Sequence, residues 1–171
     1  MTIRAADVDE VEVVVSLLRR ACATVAERFG LTEENCPKSP AFYTEDRVRA
    51  DLARGVRYYL LERDGDICGC VALEQANPEV GYLERLAVLP ECRGQGYGQA
   101  LVEHVLAEAR SIGIISEDTR LKEWYRRLGF VQTATRTFEH LPFTVAFMEI
   151  ALQGLPNQRE TEPTVTDREE S

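Results

Sequence analysis

The sequence predicts an α+β fold, in which helices lie on both sides of a mixed, mostly antiparallel sheet and give three layers. The 171 residues are enough for one domain with a buried core, and a second domain has no room. Strand-like and helix-like patterns of apolar residues follow one another in the order β-α-α-β-β-β-α-β-α-β-β. A run of consecutive strands next to strands separated by helices predicts antiparallel and parallel pairing in one sheet.

The N-terminal part is predicted as a short strand, over residues 2–5, followed by two helices. Asp7 or Asp9 can cap the first helix, which should end near Gly30 because its apolar residues recur at helical spacing. The second helix covers residues 44–55 and follows a loop that contains two prolines. The apolar residues of the first helix are Val11, Val14, Val15, Leu18, Cys22 and Val25.

The central part is predicted as a hairpin followed by a third strand. Residues 56–62 and 66–74 are apolar strand-like runs, joined through a turn in which Gly65 supplies a positive φ. Residues 80–89 form the third strand, which Pro90 closes. Further helices are predicted over residues 98–110 and 118–129, and further strands over residues 111–116, 130–139 and 145–152.

The folded domain is predicted to cover residues 1–152. Residues 153–171 are acidic and contain few strongly apolar side chains, so they cannot bury enough surface to offset the entropy of ordering. We therefore expect this tail to be disordered.

Composition and charge exclude several classes of protein. With 44% apolar and 29% charged residues the chain is typical of soluble globular proteins, and no apolar run reaches the roughly 18 residues of a membrane span. The formal net charge of -9 argues against binding to nucleic acid, which depends on clustered Lys and Arg. The N-terminus lacks the features of a secretory signal, so we expect a cytoplasmic protein.

The five cysteines are scattered and odd in number, which favours free thiols over disulfides. Cys68 and Cys70 alternate along a predicted strand, so both are expected on one buried face rather than at a metal site. Cys92 has no neighbouring histidine in the sequence and is not expected to act as a nucleophile. No metal is predicted.

A glycine-rich turn lies between a predicted strand and a predicted helix, at residues 93–98 (Arg-Gly-Gln-Gly-Tyr-Gly). Such a turn brings free backbone N–H groups, a helix N-terminus and close backbone approach to one point, which suits an anion. The spacing does not match a dinucleotide-binding turn or a Walker loop. A merely flexible turn remains an alternative on spacing alone.

Two motifs together resemble the GCN5-related N-acetyltransferase (GNAT) family. Arg93, Gly96 and Gly98 match its central Arg/Gln-x-x-Gly-x-Gly/Ala pattern, and residues 124–130 (Trp-Tyr-Arg-Arg-Leu-Gly-Phe) resemble its late helix and the strand that follows. The resemblance implies the acyl-CoA N-acyltransferase fold over roughly residues 2–152. It also implies acetyl-CoA as the acyl donor.

The resemblance assigns the donor to two parts of the chain. The pantetheine arm would bond to the backbone beside the fourth strand, and the pyrophosphate would bind the amides of the glycine-rich turn. The late helix begins at Asp118, where many relatives have Asn, so Asp118 is either a cofactor contact or only a helix cap. The cofactor-binding residues implied are Leu86, Ala87, Val88, Arg93, Gly94, Gln95, Gly96, Tyr97, Gly98 and Asp118.

Two residues match catalytic positions of the family. Glu84 would be the general base that takes a proton from the attacking amine, although a structural ion pair with Arg85 or Arg57 is an alternative. Strand alternation would place Glu84 on one face with Tyr82, Leu86 and Val88. Tyr125 would protonate the leaving thiolate, and its alternative is an aromatic packing residue.

The implied reaction is direct acetyl transfer to a primary amine of a small molecule or peptide. Two other classes remain open: an acyl-CoA-binding regulatory domain without catalysis, and an interaction protein that dimerises through the apolar residues 141–143. The acceptor is expected between the first two helices and their loop. Acidic residues there either favour a cationic amine or form a solvated surface, and they are Glu33, Glu34, Glu45 and Asp46.

Overall fold

The structure is a computed structural model that describes residues 1–77, 80–106 and 109–150. It contains a seven-stranded sheet with the strand order β1-β2-β3-β4-β5-β7-β6. The strands are β1 (Thr2–Ala5), β2 (Arg57–Arg63), β3 (Asp66–Asn77), β4 (Val80–Val88), β5 (Ala109–Ile115), β6 (Val131–Thr137) and β7 (Thr144–Glu149). The helices are α1 (Val11–Phe29), α2 (Glu45–Ala53), α3 (Tyr97–Val105) and α4 (Thr119–Arg127).

The pairing of the strands confirms the predicted fold class. Strands β4 and β5 are parallel, and the other neighbouring pairs are antiparallel. The turn of the β2–β3 hairpin has φ of 54° at Asp64 and 90° at Gly65, so two consecutive residues adopt the positive φ that a tight hairpin requires. Gly65, the glycine predicted for this turn, therefore provides one of its two positive φ angles, and Asp64 provides the other.

Helices α1 and α2 begin and end near the predicted residues because local caps define them. The first helix starts at Val11, after a short 3-10 turn in which Asp7 donates its backbone N–H to the Glu10 carboxylate at 2.9 Å. It ends at Gly30, whose φ of 61° is left-handed. The Thr44 hydroxyl accepts from the Arg47 N–H at the start of α2.

The prediction was wrong at the boundary between α3 and β5. Helix α3 ends at Val105, whereas residues 98–110 were expected to be helical, and β5 already begins at Ala109. The apolar periodicity of this segment favours a helix, but the pairing of Ala109 with Gly81 in β4 overrides it. The last two residues of the predicted final strand, and the acidic tail, lie outside the described residues.

The helices cover the two faces of the sheet. Helices α1 and α2 pack with one set of buried side chains, which includes Tyr58, Leu60 and Ala87, and we call this side the α1–α2 face. Helices α3 and α4 pack on the other side, which we call the α3–α4 face. Helices therefore cover both faces of the sheet.

A bulge in β3 separates Cys68 from Cys70. In the ladder with β2, Leu61 pairs with Gly69 but Glu62 pairs with Ile67, so Cys68 is an extra residue that reverses the alternation. Cys68 belongs to the core on the α3–α4 face, and Cys70 belongs to the core on the α1–α2 face. Both are buried as predicted, but the prediction of a shared face was wrong.

A second bulge lies in β4 at Arg85, which has a φ of 50°. Before it, Glu84 pairs with Ala72 of the α1–α2 face. After it, Leu86 and Val88 pack on the α3–α4 face. The prediction that Glu84 shares a face with Leu86 and Val88 was therefore wrong, because one residue with a positive φ reverses the alternation.

Candidate active site

A cleft opens where β4 and β5 separate. Among the described residues, the two strands pair only through Gly81 with Ala109 and Tyr82 with Ser111. Beyond that point β4 stays bonded to β3, while β5 stays bonded to β7. The sheet therefore contains a V-shaped gap whose two sides are strand edges.

The cleft has a volume of about 580 Å³. Its walls include β4 and β5, and residues from α1, α4 and the loop between α1 and α2 complete it. Glu84, Leu86, Asp118 and Tyr125 are among the lining residues, so four of the predicted site residues meet in one cavity. A cavity of this size can hold the reacting end of a long cofactor together with a small acceptor.

The backbone of β4 turns free polar groups toward this gap. The Leu89 N–H donates to the Cys68 carbonyl at 2.9 Å, so Gly69 and Val88 form a pair without mutual hydrogen bonds. The N–H of Val88 therefore points away from β3, and by alternation so do the polar groups of Leu86. The polar groups of Ala87 point toward Cys70 in β3, so Ala87 offers none to the cleft.

The glycine-rich turn sits at the end of β4 and leads into α3. Gly94 and Gly96 have φ of 77° and 79°, a region that favours glycine. The backbone N–H groups of residues 94–99 donate to no described residue, and the first bond into the helix runs from Ala100 to the Gly96 carbonyl at 3.0 Å. The turn thus presents a row of free donors at a helix N-terminus, which suits an anion.

Several side chains of the glycine-rich turn form hydrogen bonds within the protein. Tyr97 is buried, and its hydroxyl bonds to Arg63 and to Gln95. The Arg93 guanidinium donates to the Val88 carbonyl at 3.1 Å and to the Ala21 carbonyl at 2.8 Å, which ties α1 to the end of β4. Arg93 therefore has a structural role that the sequence did not reveal.

Glu84 faces the cleft from the α1–α2 face, with about a third of its side chain exposed. Its carboxylate forms an ion pair with Arg85, the partner that was the alternative to a catalytic role. The pair does not exclude catalysis, because a carboxylate that an ion pair orients can still accept a proton.

Arg85 belongs to a buried polar cluster that sequence reasoning missed. Its Nε donates to the Tyr43 hydroxyl at 2.6 Å and lies 3.2 Å from the Asp51 carboxylate. Asp51 is 1% exposed and also accepts from the Tyr58 hydroxyl at 2.7 Å. One sequence signal was available: Asp51 lies three residues after the buried Val48, on the face of α2 that contacts the core.

Tyr125 lies on α4 and is almost completely buried. Its ring contacts Trp124 and Phe130 edge to face, with centroids 4.8 Å and 5.3 Å away. Burial raises the pKa of its hydroxyl above the ordinary value, so the phenol keeps its proton at neutral pH. Tyr125 thus packs as an aromatic core residue and also lines the cleft.

Asp118 caps α4 and lines the cleft. Its carboxylate accepts from the Leu121 N–H at 3.1 Å and lies 3.2 Å from the Arg28 guanidinium. The capping interpretation is therefore confirmed, while its contact with the cofactor stays a prediction.

The mouth of the cleft on the α1–α2 side is apolar. Leu141 and Phe143, from the loop between β6 and β7, pack against a cluster that includes Leu31 and Ala41 of the loop after α1. They also line the cleft, so contacts within one chain explain their apolar character without a dimer interface. Burial raises the pKa of the nearby Cys22 thiol to about 11, which keeps it protonated and weakly nucleophilic.

Residues 54–132 match the sequence model of the acetyltransferase (GNAT) domain. This segment includes the glycine-rich turn, Glu84, Tyr125 and both strands of the cleft. The chain contains a GNAT acetyltransferase domain. The family resemblance of the two sequence motifs is thereby confirmed.

Curated relatives of this GNAT domain include the amino-acid acetyltransferase of Neisseria meningitidis serogroup A. It is 38% identical over 91 residues, which are 51% of this chain and 20% of the relative. The chain thus spans about a fifth of the length of that relative.

Solved structures of acetyltransferases share the fold of this GNAT domain. The ribosomal-protein-S18-alanine N-acetyltransferase from Escherichia coli has a TM-score of 0.71 at 15% identity, over 94% of this chain and 99% of that one. The PaiA N-acetyltransferase from Thermoplasma acidophilum, solved in complex with coenzyme A, has a TM-score of 0.67 at 14% identity, over 88% and 100%. The predicted acyl-CoA N-acyltransferase fold is therefore confirmed.

In the residues that the structure describes, no helix is long and apolar enough to cross a bilayer. Within the same residues, no three acidic, cysteine or histidine side chains lie together as a metal-binding group.

Proposed function

We propose that this GNAT domain, carried by residues 1–152, transfers an acetyl group from acetyl-CoA to a primary amine by direct attack. The observation that carries the proposal is the gap between β4 and β5. Free backbone groups of β4, the glycine-rich turn, Glu84 and Tyr125 all border this gap or its end. Such a constellation supplies a place for the donor, a base and an acid.

The donor is proposed to lie along the open edge of β4. The polar groups of Leu86 would bond to the amides of the pantetheine arm, while the N–H of Val88 stays free for the thioester oxygen, and the free N–H groups of the turn would bind the pyrophosphate. The complex of the PaiA acetyltransferase with coenzyme A supports a ligand of this class in this fold.

The chemistry requires a neutral amine next to the thioester carbon. Glu84 would accept a proton from the amine, whose nitrogen then forms the new C–N bond, and a backbone N–H near Val88 would stabilise the oxyanion. The C–S bond breaks as Tyr125 donates its proton to the leaving sulfur, and solvent restores both protonation states. Both side chains line the same cavity, which supports their action on one substrate.

The acceptor is proposed to carry an apolar group and no second positive charge. Glu84 and Asp118, the carboxylates that line the cleft, already pair with Arg85 and Arg28. Tyr82, Leu141 and Phe143 add an apolar lining. The acidic residues Glu33, Glu34 and Asp46 are exposed and do not line the cavity, so they favour a solvated surface over a site for a polyamine.

An assay of thiol release tests this function. Acetyl-CoA would be offered with phenylalanine, phenethylamine, a tripeptide with a free N-terminus, or spermidine, and the acetylated product would be identified by mass spectrometry. We expect an apolar amine or amino acid to be acetylated faster than spermidine. An amino acid is included because curated relatives are amino-acid acetyltransferases. Tight binding of acetyl-CoA without any product would instead support a regulatory domain.

Replacing Tyr125 with phenylalanine should lower kcat by about 10- to 100-fold, because the leaving thiolate loses its proton donor. The affinity for acetyl-CoA should stay within about twofold, since the hydroxyl is a small part of the contact surface. Tyr59→Phe is the matched control, because Tyr59 lies outside the cleft and its ring contacts His104 edge to face. Equal loss of acetyl-CoA affinity and kcat in Tyr125→Phe would contradict the role as a proton donor.

A further inference from the structure

Arg85 adopts a backbone conformation that needs an explanation. Among the described residues, the non-glycine residues with a positive φ are Asp64, in a hairpin turn, and Arg85, in the middle of β4. A positive φ is unfavourable for a residue with a side chain and tends to persist where the surroundings enforce it, often at functional sites. Here the strained residue directly follows Glu84.

The side chain of Arg85 is held on several sides. It is 9% exposed, and its guanidinium lies between the carboxylates of Asp51 and Glu84 while its Nε donates to the Tyr43 hydroxyl. Its Cζ also lies 5.4 Å from the centroid of the Tyr43 ring. Arg85 therefore links the carboxylate that faces the cleft to a carboxylate buried behind it.

Asp51 is shared between two arginines. One carboxylate oxygen lies 2.6 Å from the Arg54 guanidinium, and the other lies 3.2 Å from Arg85 and accepts from the Tyr58 hydroxyl. Arg54 in turn pairs with Glu74 and is half exposed. The cluster thus has one end in solvent, at Arg54, and the other in the cleft, at Glu84.

We propose that Asp51 is a positioning residue which acts through Arg85 to set the basicity of Glu84. This inference rests on the proposed function, in which Glu84 is the base. Without a second carboxylate, the full charge of Arg85 would act on Glu84 and keep it ionised but weakly basic. Asp51 offsets part of that charge, so Glu84 stays oriented by Arg85 while it keeps a stronger tendency to take a proton.

The other groups near this pair do not replace Asp51. Burial raises the pKa of the Tyr58 hydroxyl, so this group stays neutral at working pH. Tyr82 and Lys38 also line the cleft, and neither forms an ion pair within the described part of the chain. Further polar neighbours among the described residues are Cys70, whose thiol points at the Arg85 carbonyl, Tyr43, and Glu74, which pairs with Arg54.

The sign of each substitution follows from charge. Asp51→Asn removes a negative charge behind Arg85, so Glu84 should bind its proton less readily and titrate at a lower pH, by about one unit. Arg54→Gln removes a positive charge from Asp51 and should shift the titration of Glu84 upward, by about a few tenths of a unit because Arg54 is half exposed. Tyr58→Phe removes a hydrogen bond without removing charge and should leave the titration unchanged.

The test is a carboxyl ¹³C NMR titration of Glu84 in the full chain. The protein would be labelled with [5-¹³C]glutamate, and the Glu84 signal would be assigned by its loss in Glu84→Gln. Opposite shifts in Asp51→Asn and Arg54→Gln, with no shift in Tyr58→Phe, are the expected result. The proposal would be overturned if Asp51→Asn caused no shift, or if both charge variants shifted the titration in the same direction. If Asp51→Asn does not fold, the absence of a shift in Arg54→Gln would overturn it.

Kinetics separate this inference from the proposed function. In an active enzyme, the acid limb of kcat/KM should move in the same direction as the NMR midpoint in each variant. Absence of acetyl transfer in the wild type would refute the proposed function, while the NMR titration would still decide the coupling between Asp51 and Glu84.

Discussion

Replacing Glu84 with glutamine should lower kcat/KM by about 100-fold or more near neutral pH, because the amide cannot accept the proton of the attacking amine. In the wild type, activity should fall as the pH decreases and the Glu84 carboxylate becomes protonated. The variant has no such carboxylate, so its remaining activity should lack this acid limb. Thiol release measured across the pH range, with saturating acetyl-CoA, checks both effects.

Glu62→Gln is the control for the Glu84 variant. Glu62 lies on β2 and also pairs with an arginine, Arg4, at 3.5 Å, but it lies outside the cleft. Its replacement should leave kcat/KM within about twofold, as surface ion pairs contribute little. If Glu84→Gln keeps both its rate and its acid limb, then water or another group is the base.

Replacing Gly96 with valine should weaken acetyl-CoA binding by at least about tenfold while kcat at saturation changes little. Gly96 has a φ of 79°, which a β-branched residue adopts only with strain, so the turn should lose the arrangement of its free N–H groups. A Cβ at Gly96 would meet no atom within 4 Å in the protein, so crowding inside the fold does not explain the effect. Calorimetric titration with acetyl-CoA measures the affinity.

Two comparisons locate the effect of Gly96→Val at the pyrophosphate. Gly55→Val places the same side chain at a φ of 89°, also with open space around it, but away from the turn. It should lower stability without weakening acetyl-CoA binding. S-acetylpantetheine lacks the pyrophosphate, so Gly96→Val should not reduce its use as a donor, and a similar loss with both donors would argue against the assigned phosphate site.

Local patterns predicted most of the fold. Helix caps such as Thr44 and Gly30, the hairpin at Gly65 and the closure of β4 at Pro90 all depend on residues within a few positions of one another. The glycine-rich turn could also be recognised locally, since its spacing and its place between strand and helix are properties of the sequence. These features need no knowledge of distant contacts.

The orientation of the catalytic candidates could not be predicted in this way. Strand alternation fails at Cys68 and at Arg85, because each bulge adds a residue and reverses the faces that follow. At the second bulge, the Arg85 side chain contacts Asp51 in α2 and Tyr43 in the loop before α2. Both residues are far from Arg85 in the sequence. The tie between Arg93 and α1 is likewise long-range, so no local pattern indicates it.

The parting of β4 and β5 leaves two unpaired strand edges inside a single sheet. An exposed edge ordinarily invites another chain to add as a strand, and proteins protect such edges by covering them. Here residues of α1, α4 and the loops around them line the gap, so both strand edges lie inside a cleft. The domain thus combines open backbone groups, which can bond to an extended ligand, with the cover that a sheet edge ordinarily needs against pairing with another chain.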